Sequence, residues 1–337
     1  MVSKRGNAVK TQYLREVRDD YENMYSAHNR ALIQLARKDD RIISCYGDFP
    51  PGEIGEIFQR EFPDRIIDVG IAEGHLISSA AGLSNAGFIP FTHCHCIFGV
   101  GLGYNQIRHH VAYDRRNVKI VLCNSGIIWG DIGPSHLVVE DLAALRVIPN
   151  LTILSPSDAI STEKATVAAA EHVGPVVIRL PYVMGTYPTL YRDDLVFEMG
   201  KALHLHDGDD VAIIATGILV SDALEAAEQL AREGIRARVL DIQTIKPLDE
   251  EAVRAAAEET GAIVTVEDGS IVGGLGGAIA ELVSETYPVP MRRIGVRDQF
   301  GESGKGEEIK EHYGLSPKSI ARAVHKVLRD KRNLKKG

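Results

Sequence analysis

Hydrophobic positions along the chain gather in short β-type runs separated by longer stretches with helical spacing. The runs fall at Ile42–Cys45, Arg65–Val69, Phe88–Thr92, Val118–Cys123, Leu151–Leu154 and Val176–Leu180, preceded by a helix from about Asp19 to Arg37. Strands alternating with helices predict a parallel sheet covered on both faces. The segment from Pro181 to Pro188 carries two prolines and a glycine, and the polar stretch beyond it to Asp210 reads as a linker.

The pattern restarts with a strand at Val211–Ala215 and a helix from Ser221, as N-cap, to Glu233, with Gly234 as its stop. A strand at Ala237–Leu240, a helix from Asp249 to Thr260 and a strand at Ala262–Val266 follow. Next come a glycine-rich helix start at Gly273-Gly274-Leu275-Gly276-Gly277, a strand at Arg293–Val296 and a closing helix from Ser316. The fold class expected is α/β, with two tandem open, mostly parallel-sheet domains. Residues 1–190 form the first, with its N-terminal helix, 191–208 the linker, 209–330 the second domain and 331–337 a basic tail.

A length of 337 residues lets each domain bury a core of its own. The net charge of −8, spread without long acidic blocks, excludes a nucleic-acid or anionic-membrane surface. Nothing approaches the ~20 apolar residues of a membrane span, and the polar start lacks a secretion signal, so a cytoplasmic location is expected. Cys45, Cys94, Cys96 and Cys123 are too irregularly spaced for a disulfide framework.

The most informative segment is Asp68-Val69-Gly70-Ile71-Ala72-Glu73-Gly74-His75, which sets a carboxylate where an apolar strand turns into a small-residue helix. Ligands of open α/β sheets bind beyond the carboxyl ends of the strands, and a part-buried carboxyl there can trade a proton with a heteroaromatic nitrogen. Glu73 equally fits a helix N-terminal acid complementing the macrodipole. A second segment, Gly130-Asp131-Ile132-Gly133-Pro134-Ser135-His136, presents His136 just before a helix near Val138 to Arg146, either as a hydrogen-bond donor or proton carrier to a substrate oxygen or as a satisfied structural histidine.

The run His93-Cys94-His95-Cys96 invites a metal reading, but side chains on a strand alternate between faces and cannot converge. No metal site is expected in this chain. His95 and Phe98 instead suggest a flat wall for an aromatic ligand. The glycine cluster at 273–277 misses the dinucleotide fingerprint, and close packing of a helix start, at a subunit contact, explains it better.

Taken in order, Gly70-Ile71-Ala72-Glu73, Asn105-Gln106-Ile107-Arg108, Gly133-Pro134-Ser135-His136, Glu140-Asp141-Leu142-Ala143 and Arg146-Val147-Ile148-Pro149-Asn150 resemble the transketolase family. Asp241 to Asp249 and Glu267 to Gly277 are similar to its C-terminal domain. The resemblance covers roughly residues 20 to 330 and only the second half of a full-length transketolase. It implies a pyrimidine-binding domain followed by a transketolase C-terminal domain. It also implies thiamine diphosphate as cofactor, with Mg²⁺ whose ligands come from elsewhere, since the family's Gly-Asp-Gly motif does not occur here.

A split enzyme is the consequence. This chain would pair with a separate diphosphate-binding subunit in an α2β2 complex, with a homodimer contact through this chain and active sites between chains. Glu73 would bond the cofactor's pyrimidine nitrogen, with Ile71, His95 and Phe98 as its other cofactor contacts. His136 would serve catalysis and substrate, joined by Ile132, Asn124 and Tyr182. The activity implied is transfer of a two-carbon ketol, or a related acyl carbanion, from a ketose-type donor to an aldehyde acceptor.

Met24, Asn124 and Tyr182 stand at positions where sugar-phosphate members carry basic residues. Ile132 replaces a frequent aspartate and Leu102 a frequent arginine. These differences imply a substrate that is less anionic and less hydroxylated, or a phosphate held by the partner. Two other readings remain open at this point: the β subunit of a 2-oxo acid dehydrogenase first component, and a non-catalytic partner subunit.

Overall fold

The computed structural model describes residues 21–334 apart from 48, 50 and 51. Asp19, where the first helix was expected to begin, and Lys335 and Lys336 of the basic tail lie outside the described residues. In the first half the strands are β1 (Tyr21–Glu22), β2 (Ile42–Tyr46), β3 (Ile66–Asp68), β4 (Ile89–His95), β5 (Lys119–Cys123), β6 (Thr152–Leu154), β7 (Val176–Arg179) and β8 (Tyr187–Pro188). In the second they are β9 (Leu203–His206), β10 (Val211–Ala215), β11 (Ala237–Asp241), β12 (Thr244–Lys246), β13 (Ile263–Ser270) and β14 (Met291–Val296).

Two α/β sheets result, one with strand order β12-β6-β7-β5-β4-β2-β3 and one with order β14-β13-β10-β11-β9. The central strands run parallel, as the unbroken apolar runs require of strands buried on both faces. β12 joins the first sheet antiparallel, Thr244 opposite Leu154, so a strand from the second half completes the sheet of the first. β9 lies in the stretch read as linker and closes the second sheet antiparallel to β11. Its polar residues alternate along an edge, a pattern that resembles a linker when read in one dimension.

Local chemistry explains several helix ends. Asn23 caps the helix Met24–Ala36 by accepting from the Ser26 amide at 2.7 Å. Asp249 does the same for Glu250–Thr260, which Gly261 ends in the left-handed conformation. Ser221 is not the N-cap expected of it: the helix Leu219–Arg232 begins earlier, and Ser221 returns its hydroxyl to the Ile218 carbonyl at 2.9 Å. The glycines before Leu275–Thr286 are explained inside the chain. The buried Glu267 carboxylate accepts from the Leu275 and Gly276 amides at 2.7 and 2.8 Å, and a side chain on Gly274 would collide with it.

The apolar core runs through the junction of the two halves. One cluster joins Leu122, Val177 and Ile153 of the first sheet to Ile214 and Leu240 of the second and to Leu275 of the helix Leu275–Thr286, through Val138, Leu142 and Leu145. The helix Asp141–Arg146 is therefore packed between the sheets, and what precedes it is held at the same seam. Among the described residues no helix is long and apolar enough to cross a membrane.

Candidate active site

In the first sheet β3 lies on one side of β2 and β4 on the other, so the chain changes direction between β2 and β4. The crevice beyond the carboxyl ends of these strands is where an open α/β sheet receives its ligand. Phe49 follows β2, His95 closes β4, Phe98 lies in the next turn of helix (Cys96–Gly101), and Asn124 follows β5.

These residues form one aromatic cluster. The His95 ring meets Phe49 at 5.0 Å, Phe98 at 5.9 Å and His136 at 5.6 Å, each edge to face, and stacks on Trp129 at 5.8 Å with 11° between planes. Trp129 stacks in turn on Tyr182 at 5.1 Å, and His136 meets Phe98 at 5.0 Å. Asn124, with φ of 59°, accepts from the Val183 amide at 2.9 Å and donates through Nδ2 to His95 Nδ1 at 2.8 Å. That bond places the His95 proton on Nε2. His136 Nδ1 lies 2.9 Å from the Ser135 hydroxyl; with Ser135 donating, its Nε2–H is available to a substrate oxygen.

Glu73 occupies the first turn of the helix Glu73–Asn85, after a turn in which Gly70 takes φ of 71°. Its side chain is 4 % exposed and, among the described residues, has no hydrogen-bond or ion-pair partner. Its charge reaches Cys94, next to His95, whose thiol is pushed up to about 12 by burial and, secondarily, by Glu73. Ile71, two residues earlier, is 80 % exposed, and so is much of Leu102 (63 %), whose carbonyl borders Gly74.

The structure thus brings together His95, Phe98, His136, Tyr182 and Asn124, and places Ile132 on the same segment, in the turn Gly130–Ile132. Among the described residues no hydrogen bond or ring contact links Glu73 or Ile71 to this cluster. His95 and Phe98 do not make a flat wall: their planes stand 85° apart, and one face of the imidazole is covered by Trp129. Asn124, read as a substrate contact, is 2 % exposed with its amide engaged on both sides, so it supports His95 instead. Met24 is 1 % exposed in the core and faces no substrate.

The residues of the Cys/His run diverge. His93 turns inward to stack on Tyr46 and bond His28, while Cys94 is buried among apolar side chains and Cys96 donates its thiol to Asp141 Oδ2 at 3.5 Å. Among the described residues no group of three or more His, Cys, Asp or Glu side chains could hold a metal ion. Sequence reading missed Trp129 and Phe49; the one tryptophan of the chain was itself a signal.

A pair of α/β sheets, with an unpartnered carboxylate at a helix start and an aromatic crevice beyond the strand ends, defines a two-domain α/β enzyme half. The chain belongs to the transketolase family: residues 22–183 match the transketolase pyrimidine binding domain and residues 200–320 the transketolase C-terminal domain. It is 44 % identical to the 6-deoxy-6-sulfo-D-fructose transketolase subunit SqwH of Clostridium sp. strain MSTE9, over 88 % of this chain and 91 % of that protein. It is 39 % identical to a subunit of the apulose-4-phosphate transketolase of Phocaeicola vulgatus, over 87 % of this chain and 93 % of that one. Among solved structures, a split-gene transketolase described as an inactive tetramer of its beta chains superposes with a TM-score of 0.85 at 40 % identity, covering 91 % of this chain and 98 % of that one. The transketolase of Campylobacter jejuni shares the fold, with a TM-score of 0.77 at 20 % identity, over 91 % of this chain and 47 % of that one.

Proposed function

We propose that this chain is the pyrimidine-binding and C-terminal subunit of a split transketolase that transfers a two-carbon ketol from a ketose-type donor to an aldehyde acceptor. It works with a separate diphosphate-binding subunit, in an α2β2 complex. The carrying observation is Glu73, a buried carboxylate without a partner among the described residues, at the N-terminus of a helix beside the crevice of the first sheet. Two relatives that match over most of both chains are, by their names, subunits of transketolases, and the tetrameric neighbour is described as inactive in that form.

Glu73 fits the aminopyrimidine of thiamine diphosphate, because a carboxyl without a protein partner can donate to the ring nitrogen of the amino form and accept from the ring N–H of the imino tautomer. Bound there, the cofactor supplies the electron sink that makes carbon–carbon cleavage possible. Glu73 would hold or release a proton at the pyrimidine nitrogen, and Ile71, Phe98 and His95, the last fixed by Asn124, would bound the ring. His136 would carry a proton to or from a substrate oxygen. The Mg²⁺ ligands are assigned to the partner.

The substrate side is apolar where sugar-using members are charged. Ile132 is 36 % exposed beside the cluster, and Tyr182 is stacked on Trp129. This supports a donor lacking a hydroxyl at that point, and an anionic group, if present, held by the partner chain. The 2-oxo acid dehydrogenase reading predicts acylation of a lipoyl domain; the present one predicts ketol transfer without oxidation. Reconstitution with a Gly-Asp-Gly-containing partner, followed by a screen of phosphorylated and non-phosphorylated aldehydes, tests it, and lipoyl acylation without ketol transfer overturns it.

A further inference from the structure

The segment from Gly126 to Asp141 carries Trp129, Ile132 and His136 yet contains only one short 3-10 turn. Both its ends meet a single guanidinium. Arg179, closing β7, places Nε 2.5 Å from Asp141 Oδ2 and Nη1 2.7 Å from Asp268 Oδ1. None of the three is more than 4 % exposed. At the other end, Gly126 has φ of 76°, and a side chain there would overlap the Asp268 carboxylate and press on Arg179 Nη2. Asp268 belongs to β13, in the second domain. That domain also donates from the Ser270 amide to the Val139 carbonyl at 2.7 Å, and from the Gly304 amide to the Gly130 carbonyl at 3.1 Å.

We propose that Asp268, with Arg179 and Asp141, is the clamp through which the C-terminal domain holds Trp129 and His136 against His95. The inference rests on the reading that this cluster belongs to the site, and it makes Asp268 a positioning residue. The composition of the cluster argues for position over stability. It holds two acids for one base, and Asp141 Oδ1, Asp268 Oδ2 and Arg179 Nη2 have no hydrogen-bond partner among the described residues. Buried ion groups of this kind contribute little net stability, and their attested use is to select one arrangement. The 2.7 Å ion pair ties the second domain to β7 beside Gly126, where the loop begins.

The test needs neither partner nor cofactor, so its failure is separate from failure of the functional reading. Trp129 is the only tryptophan in the chain, and its fluorescence reports the loop. Asp268→Asn preserves shape and leaves a neutral Arg179–Asp141 pair, so a stabilising role alone predicts unchanged quenching of the native protein. The clamp predicts that acrylamide quenching rises about two-fold or more, with unchanged far-ultraviolet circular dichroism. Should that variant fail to fold, amide exchange in the wild-type chain decides. Val138, bonded to the Gly126 carbonyl, and Ser270, bonded to Val139, are expected to exchange through one common opening. Unchanged quenching in a folded variant, or Val138 opening independently of Ser270, would overturn the proposal.

Discussion

Replacing Glu73 with glutamine separates the two parts that a buried helix-start carboxylate can play. The substitution keeps the volume of the side chain and removes its charge, and it strands no partner, because none is present among the described residues. Losing the interaction with the helix dipole costs about 0.3–1 kcal/mol. The expected change is therefore a loss of at most about 1 kcal/mol, a fall in Tm of at most a few degrees at roughly 2–4 °C per kcal/mol. Catalysis should fall far more: removing a group that handles a proton typically lowers kcat by about 10²–10⁴, or roughly 3–5 kcal/mol of barrier. The assay pairs thermal unfolding of the isolated chain with turnover of the reconstituted complex at saturating thiamine diphosphate. Full turnover in the variant refutes the catalytic assignment. A large loss of Tm shows that Glu73 is a structural acid instead.

The same geometry sets three further outcomes. His136→Asn should lower kcat by about 10²–10⁴ while lowering Tm by only a few degrees, since among the described residues this half-exposed ring makes one hydrogen bond, to Ser135, and edge contacts with His95, Phe98 and Trp129; steady-state kinetics with unfolding curves checks it. Ile71→Ser should leave the isolated chain folded but weaken assembly with the partner roughly 10- to 150-fold, the value of burying one isoleucine side chain, measured by titration calorimetry. Stability should fall in mild acid. Burial lowers the pKa of His93 from 6.5 to about 4 and that of its bonded neighbour His28 well below its ordinary value. The unfolded chain therefore binds more protons, and the stability present above pH 6.5 is lost as pH falls towards 4, by about 3 kcal/mol for His93 alone. Urea titrations at intervals from pH 7.5 to about 4.5 check this, and His93→Gln should flatten the slope.

Residues that act through local chemistry were legible in the sequence. Runs such as Val118–Cys123 and Val211–Ala215 are buried on both faces and so read as strands without context, and Gly70 before Ala72-Glu73 marks the strand-to-helix turn. The illegible parts are those decided by distant partners. β12 is a strand only because Leu154 and Ile153 lie across from it, and β9 only because β11 offers an edge. The same holds inside the site. Asn124 reads as a pocket residue by position, yet its left-handed backbone and its bonds to Val183 and His95 consume the side chain. Trp129 carries no motif, and its stacking between His95 and Tyr182 is a product of two strand ends and a loop meeting.

The chain completes its own folding: the core is continuous across both sheets, and the His136 segment is tied at both ends. Uncovered groups nonetheless remain at the start of the helix Glu73–Asn85. Among the described residues Glu73 has no hydrogen-bond or ion-pair partner, and an exposed apolar side chain, Ile71, is two residues away. One event would serve both, the arrival of a surface that covers Ile71 and carries a nitrogen heterocycle to Glu73. Cofactor binding and subunit assembly are then thermodynamically coupled, each raising the affinity of the other by the same factor. Thiamine diphosphate should therefore tighten the complex, and the isolated chain should bind the cofactor weakly; equal cofactor affinity with and without the partner would break the argument.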